Sequence, residues 1–185
     1  MRKGMAGILL FACVAVACLY AAEPVGKILL DFEDSVFVEE LVGGQPSVNA
    51  KQVQECVTGG ENALQFTLPE GRYVAIRLRY LPVSDWSGYA GIEFDICQTA
   101  GDVERLFFFI YDTAGKGVCN SIDFSPGREE PQHCSFTFAD MKNIENLDLR
   151  DIKRVQFYIS KNESDKTYIV DSIRLIPAVE PEEKG

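Results

Sequence analysis

Leu106-Phe107-Phe108-Phe109-Ile110-Tyr111 is the stretch whose reading decides the fold, once it is set beside Val74-Ala75-Ile76-Arg77-Leu78-Arg79-Tyr80 and Val155-Gln156-Phe157-Tyr158-Ile159-Ser160. In the two flanking runs apolar and polar residues alternate with a period of two, the signature of a strand with one buried face. If the three strands share a sheet, one parity collects Ile76, Leu78, Leu106, Phe108, Ile110, Val155, Phe157 and Ile159 and must face a core. The other parity collects Arg77, Arg79, Phe107, Phe109, Tyr111, Gln156 and Tyr158.

The same period extends outward along the chain. Further strands are predicted at Ile28 to Phe32, Val53 to Val57, Leu64 to Leu68, Ile92 to Cys97, Val118 to Phe124, Cys134 to Phe138 and Tyr168 to Ile176. That makes about ten short strands. Turn signals such as Gly43-Gly44-Gln45-Pro46, Thr58-Gly59-Gly60, Pro69-Glu70-Gly71 and Thr113-Ala114-Gly115 separate them, at roughly the 8 to 12 residue spacing of a sandwich or barrel. No segment carries a convincing helical period, with room for one turn between Phe138 and Leu147, and there is no internal repeat. The expectation is an all-β fold, a two-sheet antiparallel β-sandwich of the jelly-roll kind.

The outward parity is the functional candidate. Aromatic rings beside hydrogen-bonding groups on the outside of a sheet form a surface patch with a use. Sugar rings stack their C–H faces on aromatics, and their hydroxyls engage arginine and glutamine, so Arg77, Arg79, Phe109, Tyr111, Gln156 and Tyr158 are the predicted carbohydrate-binding residues. The competing reading places Phe107 and Phe109 under a long loop, residues 34 to 50, as a satellite core.

At the N-terminus, Arg2-Lys3, an apolar run from Met5 to Tyr20 and Ala21-Ala22 have the layout of a secretory signal peptide over residues 1–22. The sandwich domain is then 23–177, and 178–185, acidic and proline-bearing, is expected to be a disordered tail. The protein is placed as secreted, periplasmic or at the cell surface. Ala15-Val16-Ala17-Cys18 also resembles a lipobox, which would make Cys18 a lipid anchor. Outside the leader, Cys56, Cys97, Cys119 and Cys134 remain of the six cysteines. Their even number in an exported chain predicts two disulfides, with Cys56 to Cys97 and Cys119 to Cys134 preferred among the three connectivities and free buried cysteines as the alternative.

Composition excludes several functions. The chain has 185 residues, 28 Asp and Glu against 18 Lys and Arg, a net charge of -10 and one histidine, His133. The acidic excess argues against nucleic acid or anionic membranes as partners. One histidine cannot form a three-histidine zinc site or an HExxH helix, and no GxSxG, GxGxxG or GxxxxGK run occurs. Glu93 and Asp95, on one strand face, are the remaining hydrolase candidates. Asn162-Glu163-Ser164 is a glycosylation sequon in a eukaryotic setting.

Four blocks, in this order, carry a family resemblance: Ile28-Leu29-Leu30-Asp31-Phe32-Glu33-Asp34; Leu81-Pro82-Val83-Ser84-Asp85-Trp86-Ser87-Gly88-Tyr89 leading into Gly91-Ile92-Glu93-Phe94-Asp95-Ile96; Leu147-Asp148-Leu149-Arg150-Asp151-Ile152-Lys153-Arg154-Val155-Gln156-Phe157-Tyr158; and Ile169-Val170-Asp171-Ser172-Ile173-Arg174-Leu175. Together they resemble the family 11 carbohydrate-binding modules and their galactose-binding-like jelly-roll relatives. The resemblance implies a non-catalytic β-glucan-binding module with a concave glycan face and structural calcium. It aligns two of the family's tyrosines with Val74 and Ile159. It implies Glu33 and Asp171 as Ca2+ ligands, with the turn at Thr58 to Asn62 completing the roughly 6 to 8 oxygens calcium takes; the competing reading leaves both as solvated strand-end acids. It also places Trp86 in the core at a sheet end. The expected partner is a polysaccharide or glycoconjugate. The alternative is an extracellular or envelope protein-interaction domain that reuses the fold, with a protein partner on the same face.

Overall fold

The computed structural model describes residues 26–42, 48–100, 105–124 and 130–178. The expected signal peptide, the lipid anchor at Cys18 and residues 179–185 of the tail lie outside the described residues.

Period-two patterning produces two antiparallel sheets. One has six strands, β1 (Lys27–Leu30), β2 (Asn49–Val53), β3 (Ala63–Leu68), β5 (Tyr89–Ala100), β8 (Gln132–Thr137) and β10 (Lys166–Pro177), in the order β2-β3-β10-β5-β8 with β1 also paired to β10. The other has four, ordered β4 (Gly71–Arg79), β9 (Ile152–Asn162), β6 (Arg105–Asp112) and β7 (Gly117–Asp123). The three strands read together from sequence are thus neighbours in one sheet.

The inward parity closes the sandwich. Ile76, Leu78, Leu106, Phe108, Ile110, Val155, Phe157 and Ile159 are all buried. Phe94 of the six-stranded sheet meets Phe108 at 4.9 Å and Phe157 edge-on at 5.3 Å, and Phe66 stacks on Phe157 at 5.6 Å. Removing one such ring costs about 3 to 5 kcal/mol, because the surrounding cage cannot collapse into the space. Trp86, fully buried, stacks on Phe138 at 6.2 Å and donates its indole N–H to the Val83 carbonyl at 2.9 Å.

Three expectations are corrected. A helix, α1 (Ser35–Val42), occupies a stretch read as loop. Asp34 caps it by accepting the N–H groups of Val36 and Phe37, and Val38 and Leu41, three apart, are its buried residues. With two turns and several β-branched valines, its period is too short to show. The strand expected at Val53 to Val57 ends where it was to begin: β2 stops at Val53, and Val53, Cys56 and Val57 instead join Ala63, Cys97 and Ile169 in a small apolar cluster.

The third correction concerns the cysteines. Cys56 and Cys97 form a disulfide, and Cys119 and Cys134 are not bonded to each other. β7 and β8 follow each other in the chain but belong to different sheets: Cys119 pairs in register with Phe109, Cys134 with Phe94. Cys134 points into the core while Cys119 lies on the opposite side of its own sheet, so the two thiols cannot meet.

Candidate functional site

The antiparallel register sorts the outer face of the four-stranded sheet into rows that cross it. The first row is Arg79, Arg154, Tyr111 and Gly117; the second is Arg77, Gln156, Phe109 and Cys119; the third is Ala75, Tyr158, Phe107 and Ser121. All six residues singled out for glycan binding from sequence therefore lie on this one face.

Rings form a connected ladder along it. Tyr73 stacks on Tyr158 at 6.2 Å, Tyr158 meets Phe107 at 5.8 Å and Phe109 edge-on at 5.7 Å, and Phe109 stacks on Tyr111 at 5.6 Å. The guanidinium of Arg154 ends the ladder 4.2 Å above the Tyr111 ring, a cation–π contact that fixes both planes. On the other side the Tyr111 ring lies so close over the Gly117 backbone that an added Cβ would come within 2.6 Å of two ring carbons. The absence of a side chain at 117 is what lets the ring lie down. Phe107, Phe109, Tyr111 and Tyr158 are half-buried, and Tyr73 is 72% exposed. α1 packs against β4 and β2, and the rings that Phe107 and Phe109 meet are Tyr158 and Tyr111, on their own sheet face. Burial among these neighbours, with smaller contributions from Tyr73, Cys119 and Tyr111, pushes the Tyr158 hydroxyl above the usual tyrosine range, so it stays a neutral donor at physiological pH.

The Arg79 end of the face opens into a cavity of about 600 Å³ whose lining includes Arg79, Tyr80, Lys153, Arg154, Thr113 and Asp151. Its wall comes from two of the blocks that carry the family resemblance. Trp86 donates its backbone N–H to the Leu149 carbonyl and Ile152 donates to that of Ser84, which locks 84–86 onto 149–152. The buried Asp112 accepts the N–H groups of Lys116 and Asp148, and the Thr113 hydroxyl donates to Asp151.

Tyr73 and Arg154 were missed from sequence. Each lies one step of the period-two register beyond a strand end drawn at Val74 or Val155, so extending the same parity by two residues would have found both. Tyr73, at φ 58°, also drops out of the pairing ladder between Arg72 and Val74. Val74 packs against the core and Ile159 is part of it, so the tyrosine next to the aligned position, not at it, faces outward.

The outer face of the six-stranded sheet holds the other candidates. The two Oδ atoms of Asp171 accept the N–H groups of Thr58, Gly59 and Ser172, and the Thr58 hydroxyl bridges Asp171 to Asp95. Glu33 accepts the N–H groups of Glu61 and Asn62 and the Asn62 side-chain amide. These donors, the Asn62 and Glu61 amides foremost, hold the Glu33 carboxyl below its ordinary value. Both acids expected to ligate calcium thus grip the expected loop, but the loop turns its N–H groups toward them, whereas a calcium shell needs oxygens. Among the described residues no group of three or more acidic, histidine or cysteine side chains is placed to hold a metal. The residues as arranged do not fit a calcium centre; they hold the loop by hydrogen bonds. Glu93 and Asp95 sit on this same outer side, facing His133 at 3.8 and 2.9 Å, across the sandwich from the aromatic rows. The sequon asparagine, Asn162, is buried and donates to the carbonyls of Leu68 and Pro69, which leaves no accessible amide for a glycan.

No family model and no curated protein matches the chain in sequence. Among solved structures it is similar to a family 11 carbohydrate-binding module from Clostridium thermocellum in complex with a beta-1,3-1,4-mixed-linked tetrasaccharide, at a TM-score of 0.64 and 23% identity over 86% of this chain and 100% of that one. It is similar also to the family 11 module of a cellulosomal cellulase of the same organism, at 0.61 and 23% over 88% and 100%. An exo-beta-agarase matches at 0.64 and 18% over 85% of this chain, which spans 25% of the agarase. The chain shares the two-sheet jelly-roll fold of these family 11 modules.

Proposed function

We propose that the protein is a non-catalytic carbohydrate-binding module that takes a polysaccharide or glycoconjugate on the outer face of its four-stranded sheet. The observation that carries this reading is the ring ladder from Tyr73 through Tyr158 and Phe109 to Tyr111, side by side on the outer sheet face with arginines and Gln156 between. Rings spaced in this way offer successive sugars a stacking surface, and no pair of carboxylates stands among them to cut a glycosidic bond. The solved modules that the fold matches over their full length support the same reading, one of them holding a tetrasaccharide. The Cys56–Cys97 disulfide suits an oxidising compartment outside the cytosol.

Affinity electrophoresis against a panel of neutral and acidic polysaccharides tests the proposal. The native protein is expected to be retarded by at least one polymer, and the double variant Tyr111→Ala, Tyr158→Ala to lose at least about ten-fold in affinity, ~1.4 kcal/mol, while unfolding at nearly the native temperature. A folded protein that no polysaccharide retards overturns the proposal and turns attention to a protein partner on the same face.

A further inference from the structure

The charge of the ring-bearing face runs against the charge of the chain. In a protein of net charge -10, the first two rows of that face carry Arg79, Arg154 and Arg77 and no carboxylate. Arg79 and Arg154 are direct cross-strand partners, a like-charge pairing that destabilises a sheet when nothing neutralises it. Neither forms an ion pair with any described residue, whereas Arg105, at the far corner of the same face, is neutralised by Asp123 at 2.7 Å. The Nε of Arg154 is buried without a hydrogen-bond partner, and its guanidinium plane is fixed over Tyr111. Arg79, Arg154 and Lys153 line one cavity together with a single acid, Asp151, which accepts from Thr113.

The charge of this lining is one-sided, three cations to one carboxylate, with the hydroxyls of Tyr80, Ser84 and Thr113 beside them. A neutral sugar hydroxyl both donates and accepts, so a site for neutral glycans mixes donors with acceptors. Arginine and lysine only donate, and Gln156, the amide beside them, is 8% exposed. A ligand group that only accepts, a carboxylate or a sulfate ester, matches three cations at the mouth of a cavity, and arginine's planar fork suits it in particular.

Resting on the carbohydrate-binding reading of this face, we propose that its ligand is an acidic polysaccharide, with a carboxylate or sulfate held between Arg79 and Arg154 and the sugar rings laid along Tyr111 and Phe109. The anion relieves the repulsion between the paired arginines, and the ring ladder supplies the rest of the affinity.

The test is affinity electrophoresis of the full protein in gels containing polygalacturonate (carboxylate), a sulfated galactan (sulfate), agarose or mixed-linkage β-glucan (both neutral), each referred to a gel without polymer. Three proteins are compared: native, the double variant Arg79→Gln, Arg154→Gln, and Arg105→Gln as a single-charge control on the same face. The expected result is about ten-fold or stronger affinity for one of the acidic polymers over both neutral ones, loss of about ten-fold or more in the double variant, little change in Arg105→Gln, and weakening by added salt. Which acidic polymer is retained tells carboxylate from sulfate. Retardation by a neutral glycan alone, unchanged in the double variant, overturns this inference and leaves the carbohydrate-binding reading standing. An equal loss in Arg105→Gln overturns it as well, since bulk charge would then explain the effect. Absence of retardation by all four polymers, with a native circular-dichroism spectrum, overturns both.

Discussion

The two outer faces of the sandwich are finished differently. On the six-stranded sheet, residues 54–62 fold back over the strands, pinned by the Cys56–Cys97 disulfide, by Asp171 and Glu33 gripping the loop amides, and by the small apolar cluster around Ala63 and Ile169. Asp171, 1% exposed, has its charge met by N–H donors. On the four-stranded sheet rings stand half-exposed, and two paired arginines have no counter-charge among the described residues. The chain spends its crosslink and residues 54–62 on closing one face; the other, with groups that would be unfavourable if merely decorative, is the one we propose as the binding face.

Breaking the closed face should cost stability and leave binding alone. The largest effect is expected from Cys56→Ala, Cys97→Ala: the crosslink spans 41 residues, which corresponds to about 4 kcal/mol in the chain-entropy model, read as a lower urea midpoint with unchanged glycan affinity. Asp171→Ala comes next, at about 2 to 3 kcal/mol, because the Thr58 and Gly59 amides lose their shared acceptor in a part-buried setting. Gly60→Ala should fall close behind, at about 1 to 3 kcal/mol: Gly60 has φ 81° and a Cβ there would clash with Glu33 Oε1. A denaturation series on these three variants ranks them.

Acid should loosen the same loop by a smaller amount. The folded Glu33 carboxyl titrates below its ordinary value of 4.5, so its contribution is fully present above that value and fades as pH falls through the lower, folded one. A thermal melt taken from pH 6 down to pH 3 should lose this increment in the native protein and not in Glu33→Gln, which has already lost it. Calcium is expected to do least: with N–H groups filling the acceptors of Glu33 and Asp171, millimolar calcium or a chelator should leave the melting temperature in place. A calcium-dependent rise of several degrees would instead show that the loop can turn its carbonyls inward.

The faces also differed in how legible they were in the sequence. The open face was legible because period-two parity, read across three strands, assigns sides without any knowledge of neighbours; its misses, Tyr73 and Arg154, lie one register step past strand ends that periodicity places only approximately. The closed face was not, because residues 54–62 carry no period, and their apolar members Cys56 and Val57, following Val53 at the end of β2, imitate a strand while packing as a plug. The helix at Ser35–Val42 was hidden for a related reason, two turns being too few for a 3.6-residue period to stand out from a run of valines.

Alternation of side chains along single strands determined the all-β class and the inner and outer residues of the three diagnostic strands. Those follow from local geometry, since a strand can put a residue on only one of two sides. Which strands become neighbours depends on how two sheets divide the chain between them, a long-range choice that separates Cys119 from Cys134 although β7 and β8 are consecutive. The same long-range choice set Arg79 against Arg154 and turned the amides of residues 58–62 toward Glu33 and Asp171. Contacts of that kind depend on backbone placed by packing elsewhere in the molecule, so only the folded structure shows them.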